Sequence, residues 1–282
     1  MKIAFFGTPP FTASFLDILS EHGYTPSLIV TNPDRPAGRG MTLQSPEPKI
    51  WGEAHEVSVL QPEKIDADFL DTLSKDSWDL FIVIAYGKIL PEALIRMPKY
   101  GTINLHYSLL PKYRGATPVE SAILNGDSIT GISTQQMRFK LDSGPVLMQQ
   151  ELCIDPNDTT PSLREKLNAQ ALIMFPTVLE KIFNETVSPQ EQSEDGASHC
   201  KKISKEDGEL HLEDDPIVND RKYRAYYGSV GTYFYTYKNG ERIRVKITKA
   251  HLDGGLFVID EVIPENGKRM DYRTFLSSIA SL

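Results

Sequence analysis

The chain has 282 residues, of which 40% are hydrophobic and 24% charged, with a formal net charge of −8. That length allows one large domain or two smaller ones, and the acidic balance excludes an indiscriminate nucleic-acid binder. No apolar run approaches a membrane span, and Cys153 and Cys200 match no metal or redox spacing, so a cytoplasmic protein with free thiols is expected. The charge is uneven: from Arg221 onward there are 11 Lys+Arg against 6 Asp+Glu, a balance of +5, while the preceding 220 residues carry 19 against 32, or −13. A basic tail on an acidic body suits either a phosphate-facing surface or an ordinary solvated face.

Lys2–Phe6 is a β-branched and aromatic run that stops at Gly7, and lacks the small-residue cleavage site of a signal peptide. Thr8 reads as a helix N-cap with Pro9 in the first turn, and Phe11, Phe15, Ile18 and Leu19 fall on one face before Gly23. Ser27–Thr31 is a second strand. This β-α-β opening begins a doubly wound sheet, but it lacks Gly-x-Gly-x-x-Gly, so no dinucleotide site is predicted. Asn32–Gly40 holds two prolines and two glycines in nine residues and reads as an exposed loop. Its Arg35 and Arg39 suit phosphate oxygens, or are simply solvated. A helix over 46–56, a strand over Val57–Leu60 and a helix over Ala67–Leu73 precede Asp79–Ala85, an apolar run suited to a central strand. The loop Tyr86–Pro91 then leaves that strand's carboxyl end, where open α/β sheets bind ligands.

Thr102–Tyr107 reads as a buried strand on which Asn104 and His106, two apart, share a face. An amide donor, a proton carrier and a carboxylate are what acyl transfer to an amine requires, and Asp142 supplies the third. Each also has a bland reading, as a satisfied polar pair and an ordinary turn residue. Thr117, Pro118 and Glu120 read as a capping box opening a helix. Strands over Ile129–Gln136 and Pro145–Ile154 form a hairpin that would return Asp142 towards His106. A long amphipathic helix starts at Thr160, with Pro176 expected to kink or break it. A Pro, Gln, Ser and Glu-rich stretch follows, read as a linker, and then a β-rich tail. There Lys238-Asn-Gly-Glu241 is a hairpin turn, and Arg242–Thr248 alternates strictly, placing Arg242, Arg244 and Lys246 on one face.

Asn104-Leu-His-Tyr-Ser-Leu-Leu-Pro-Lys-Tyr-Arg-Gly115, with Asn125-Gly-Asp127, Thr130-Gly131 and Leu141-Asp-Ser-Gly144, resembles the folate-dependent formyltransferase family, and within it the members that act on methionyl-tRNA. The resemblance implies an α/β architecture: a Rossmann-like doubly wound formyltransferase domain over 1–185, a linker over 186–206 and a small OB-like β-barrel over 207–282. It implies 10-formyltetrahydrofolate as donor, initiator methionyl-tRNA as acceptor, no metal, no membrane partner and a monomer. Asn104, His106 and Asp142 take the catalytic positions. Tyr86, Gly87, Ile89 and Leu90, with Ser108, Leu109, Leu110 and Pro111, take the folate positions. Arg35 and Arg39 lie on a loop similar to the insertion placed in the tRNA acceptor stem, and Arg242, Arg244 and Lys246 face the tRNA backbone. The tail is short between Ala250 and Gly255, so its barrel is expected to lack a hairpin. The stretch Met137-Arg-Phe-Lys-Leu-Asp142 departs from the tRNA-directed pattern, which has an acidic residue and a glycine there. Basic residues at these positions occur in relatives that formylate amino sugars on nucleotide carriers, which is the alternative acceptor; a folate- or RNA-binding module with a vestigial site is a third reading.

Overall fold

The structure, a computed structural model, describes residues 1–37 and 41–280; Arg39, expected in the tRNA-facing loop, lies outside the described residues. The first part of the chain alternates strand and helix: β1 (Ile3–Gly7), α1 (Thr12–Glu21), β2 (Leu28–Val30), β3 (Arg35–Ala37), β4 (Thr42–Gln44), α2 (Glu47–Ala54), β5 (Ser58–Leu60), α3 (Ala67–Ser74), β6 (Leu80–Ile84), α4 (Glu92–Ile95) and β7 (Thr102–His106). Every residue of β1, β2 and β6 is buried, which is why these runs carry apolar side chains on both faces of the strand. β5, β2, β1, β6 and β7 lie side by side in that order, all parallel. The chain therefore winds outward from β1 to β5 and returns to set β6 on the other side of β1. The carboxyl ends of β1 and β6 flank the switch point at which such sheets bind ligands.

There follow β8 (Arg114–Gly115), α5 (Pro118–Asn125), β9 (Ile129–Gln136), β10 (Val146–Cys153), α6 (Thr160–Phe183) and β11 (His199–Cys200). β9 pairs antiparallel with β7, and β10 completes a seven-stranded sheet. The tail adds α7 (Pro216–Tyr226), β12 (Thr232–Lys238), β13 (Glu241–Asp253), β14 (Leu256–Pro264), β15 (Met270–Asp271) and α8 (Tyr272–Ala280). β12 to β15 form an antiparallel sheet in sequence order, compatible with a small barrel domain. Asn239 and Gly240, at φ 54° and 79°, close its first hairpin as a two-residue turn requires, and Gly254-Gly255 closes the second. Phe234, Val245, Ile247, Val262 and Phe275 form its core.

The residues pack as two compact units, one of 1–114, 131–151 and 167–198, the other of 115–130, 152–166 and 199–282. Among the described residues no helix is long and apolar enough to cross a membrane.

Several local expectations are corrected. α1 begins at Thr12, not Thr8, because Pro9 and Pro10 form the preceding turn and accept from the amides of Thr12 and Ala13. The 32–40 stretch is not wholly irregular, since β3 pairs with β4 as a short ribbon. No capping box forms at α5: Thr117 donates its hydroxyl to the Lys201 carbonyl, and Glu120 pairs with Arg164 at 2.9 Å. Pro176 does not break α6, which runs through 24 residues. Leu167, Phe175, Val178 and Leu179 are buried along that helix, and burial at ~1.5–3 kcal/mol per side chain outweighs the ~3 kcal/mol cost of a helical proline.

Candidate active site

The pleat of β7 sets the site. Asn104 lies opposite Gln135 of β9 and His106 opposite Ser133, so all four side chains project from one face. His106 is buried, and its Nε2 is 2.8 Å from the Tyr113 carbonyl oxygen. A carbonyl only accepts, so Nε2 carries the proton and Nδ1 is the nitrogen left to react. Nδ1 faces Asp142 Oδ2 at 3.7 Å, with the two side chains 6% and 11% exposed. That separation is too long for a hydrogen bond, and it leaves the carboxylate facing the ring nitrogen across a gap shielded from bulk solvent. The hairpin thus returns Asp142 to His106. The Asn104 amide is half-buried and makes no hydrogen bond among the described residues.

Asp142 sits in a left-handed turn at φ 46°. Gln135 Nε2 donates to its Oδ1 at 2.9 Å, turning Oδ2 towards the imidazole. Gly144 is needed two residues on, since a Cβ there would stand 1.7 Å from the Gln136 carbonyl oxygen. Ala85 and Tyr113 also have positive φ, 49° and 58°.

The stretch expected to be a linker holds this turn. Gln192 Nε2 donates to the carbonyls of Asp142 (2.8 Å) and Gly144 (2.7 Å), while its Oε1 accepts from Nε of the wholly buried Arg114 at 3.0 Å. Arg138 pairs with Glu191 at 2.5 Å, and Lys140 with Glu194 at 3.3 Å, so the two basic residues that depart from the tRNA-directed pattern are engaged within the chain. Arg114 and Lys140 together hold the Glu194 carboxyl below its ordinary range.

The folate positions divide. Tyr86 is buried, its phenol pushed up by burial, and Leu90 is part of the hydrophobic core, whereas Ile89 is 83% exposed and Gly87 is exposed at φ 82°. Lys88 donates to the carbonyls of Pro62 and Glu63 and so pins this loop. Thr8 and Asn32 both donate to the Tyr86 carbonyl, at 3.5 and 3.4 Å. Ser108 is wholly buried and gives its hydroxyl to the Lys112 carbonyl, which makes it a shaper of its loop. Ser133 bonds the Ser108 carbonyl and the Leu110 amide, and Gln149 reaches the Leu110 carbonyl at 2.8 Å; Leu109 and Pro111 stay half-buried.

The sequence profile of the formyl transferase family matches residues 1–179. The chain belongs to that family. A relative from Nitrosomonas eutropha, methionyl-tRNA formyltransferase, is 40% identical over 230 residues, covering 80% of this chain and 72% of the relative. Two solved structures share the fold at low identity. The N-formyltransferase from Helicobacter canadensis, in complex with folinic acid and dTDP-3-aminofucose, has a TM-score of 0.67 at 17% identity, over 92% of this chain and 95% of that one. Methionyl-tRNA formyltransferase from Clostridium thermocellum has a TM-score of 0.63 at 14% identity, over 96% and 99%.

On this formyl transferase the other expected contacts are spread out. Arg35 is exposed and pairs with Glu63 at 2.9 Å. Beside it Asp34 is held down to about 2, chiefly by Lys49 at 2.7 Å and then by Gln61 and Ser45. In the tail, the register Tyr233↔Lys246, Tyr235↔Arg244 and Tyr237↔Arg242 puts three tyrosines on the same face as the three cations. The Arg242 guanidinium lies 3.8 Å from the Tyr235 ring centroid. These tyrosines were missed, although the alternation of 231–237 would have found them. Gln135 and Ser133 were legible in the same way, from the pairing of β9 with β7. Nothing in the sequence marked Gln192.

Proposed function

We propose that this chain transfers the formyl group of 10-formyltetrahydrofolate to the α-amino group of initiator methionyl-tRNA. The observation that carries the reading is the buried His106–Asp142 pair beside the Asn104 amide, with Nε2 of the imidazole held by Tyr113. The amine lone pair attacks the formyl carbon and the carbonyl oxygen becomes an oxyanion. Asn104 donates to that oxyanion from a fixed strand, and His106 does so from Nδ1 when that nitrogen carries a proton as well as Nε2. Asp142 holds the imidazole and, directly or through water, carries the proton from the amine to the departing folate nitrogen. An α-amino group titrates at about 8, so a carboxylate relay is sufficient to keep it nucleophilic.

Choice of acceptor rests on two things. The relative at 40% identity is a methionyl-tRNA formyltransferase. The tail presents interleaved aromatic and basic side chains, which suit a nucleic acid better than a sugar nucleotide. The exposed Arg35–Glu63 pair is weakly held and can exchange for phosphate. The test is incubation with 10-formyltetrahydrofolate and charged initiator methionyl-tRNA, scoring formylmethionine on the tRNA. Product is expected. Its absence, with formyl transfer to a nucleotide-linked amino sugar instead, would move the assignment to that acceptor.

A further inference from the structure

The two-residue stretch Tyr113-Arg114 touches both members of the catalytic pair, once directly and once through an intermediary. Tyr113 accepts from His106 Nε2, while the adjacent Arg114 donates to Gln192, whose amide spans the carbonyls of Asp142 and Gly144. Asp142 and Gly144 lie in the turn between β9 and β10, outside both strands, so the sheet ladder does not hold their carbonyls. The segment carrying Gln192 is itself tied back to the same two residues: the Tyr113 amide donates to Ser198 Oγ and the Arg114 amide to the Ser198 carbonyl, both at 2.8 Å. Imidazole and carboxylate are thereby referenced to one piece of backbone.

We propose that Gln192 is a positioning residue that sets the distance between Asp142 and His106. The inference rests on the catalytic role given to Asp142 above. Gln135 fixes which way the carboxylate turns, and Gln192 fixes where the turn carrying it stands. A gap of 3.7 Å leaves little tolerance, because a displacement of about 1 Å at a reacting pair costs on the order of a hundredfold in rate.

The experiment measures kcat, KM, pH–rate profile and Tm for the whole chain and four variants: Gln192→Ala, Gln192→Glu, Asp142→Asn and the double variant Asp142→Asn with Gln192→Ala. Substrates are 10-formyltetrahydrofolate and methionyl-tRNA. Gln192→Glu keeps the side-chain length and a partner for Arg114 but donates nothing to the two carbonyls. Both Gln192 variants are expected to lose kcat by roughly 10- to 100-fold with both KM values within about twofold. Their pH–rate profiles should take the shape of Asp142→Asn, and Gln192→Glu should still unfold in one cooperative thermal transition, which shows the fold retained. The double variant should be no slower than Asp142→Asn alone, because Gln192 acts only through that carboxylate. Wild-type kcat in Gln192→Glu, or a double variant whose loss is the product of the single losses, overturns the proposal while leaving Asp142 catalytic. Wild-type kcat in Asp142→Asn would instead overturn the reading beneath it.

Discussion

Tyr113 fixes which nitrogen of His106 is turned towards Asp142, and it does so with a main-chain oxygen that a side-chain substitution cannot remove. Asn104 is the complementary case, a side chain with no other hydrogen bond among the described residues and one proposed task. Asn104→Ala should lower kcat on the order of a hundredfold and leave KM for methionyl-tRNA nearly unchanged, because only the developing oxyanion needs the donor. Steady-state kinetics check this, and equal losses in kcat and affinity would remove Asn104 from the oxyanion. Asp34 carries a different prediction. Its folded pKa lies near 2, below the ordinary 3.8, so its ionised form is favoured by folding. The stability it contributes is fully present above its ordinary value and is lost as pH falls from there through about 2. Urea midpoints of wild type and Asp34→Asn should therefore differ most above pH 4 and converge as pH approaches 2. A gap that stays constant across that range would mean the Lys49 contact is not what the carboxylate contributes.

At the scale of elements, the turn between β9 and β10 is the most constrained part of the site. Gly144→Ala drives a methyl group into the Gln136 carbonyl, so the turn must shift and carry Asp142 with it. The expected outcome is a large loss of kcat with the fold retained, checked by kinetics alongside circular dichroism; full activity would show that the turn can relax without moving the carboxylate. The strands and the β9–β10 hairpin were legible because burial leaves a period in the sequence: β6 is apolar throughout, and β13 alternates. Thr8, Thr117 and Pro176 misled because each follows a local rule that its surroundings overrode, namely the Pro9-Pro10 turn before α1, the Lys201 carbonyl and the buried face of α6. Gln192 was invisible for a plainer reason. A polar residue in a polar, proline-bearing stretch carries no periodic signal, and its partners are main-chain carbonyls 50 and 48 residues away in sequence.

For the whole molecule, charge is segregated: the tail from Arg221 is +5 and the rest −13. An acidic body repels polyanions at long range, so the proposed tRNA contact falls to the tyrosine–arginine face of the tail. Arg244→Ala should raise KM for methionyl-tRNA, leave kcat unchanged and lower the slope of affinity against salt by about one. Filter binding across a salt series checks this; an unchanged slope would remove Arg244 from the phosphate contacts.

The strap formed by Gln190 to Ser198 belongs to the first compact unit, although its composition reads as a linker. This matters for recombination between relatives. A crossover placed near residue 186 would pair one parent's β9–β10 turn with the other parent's Glu191, Gln192 and Glu194. Hybrids joined there should inherit mismatched ion pairs and a loosened Asp142, whereas hybrids joined after Ser198 carry the brace with the turn it evolved against.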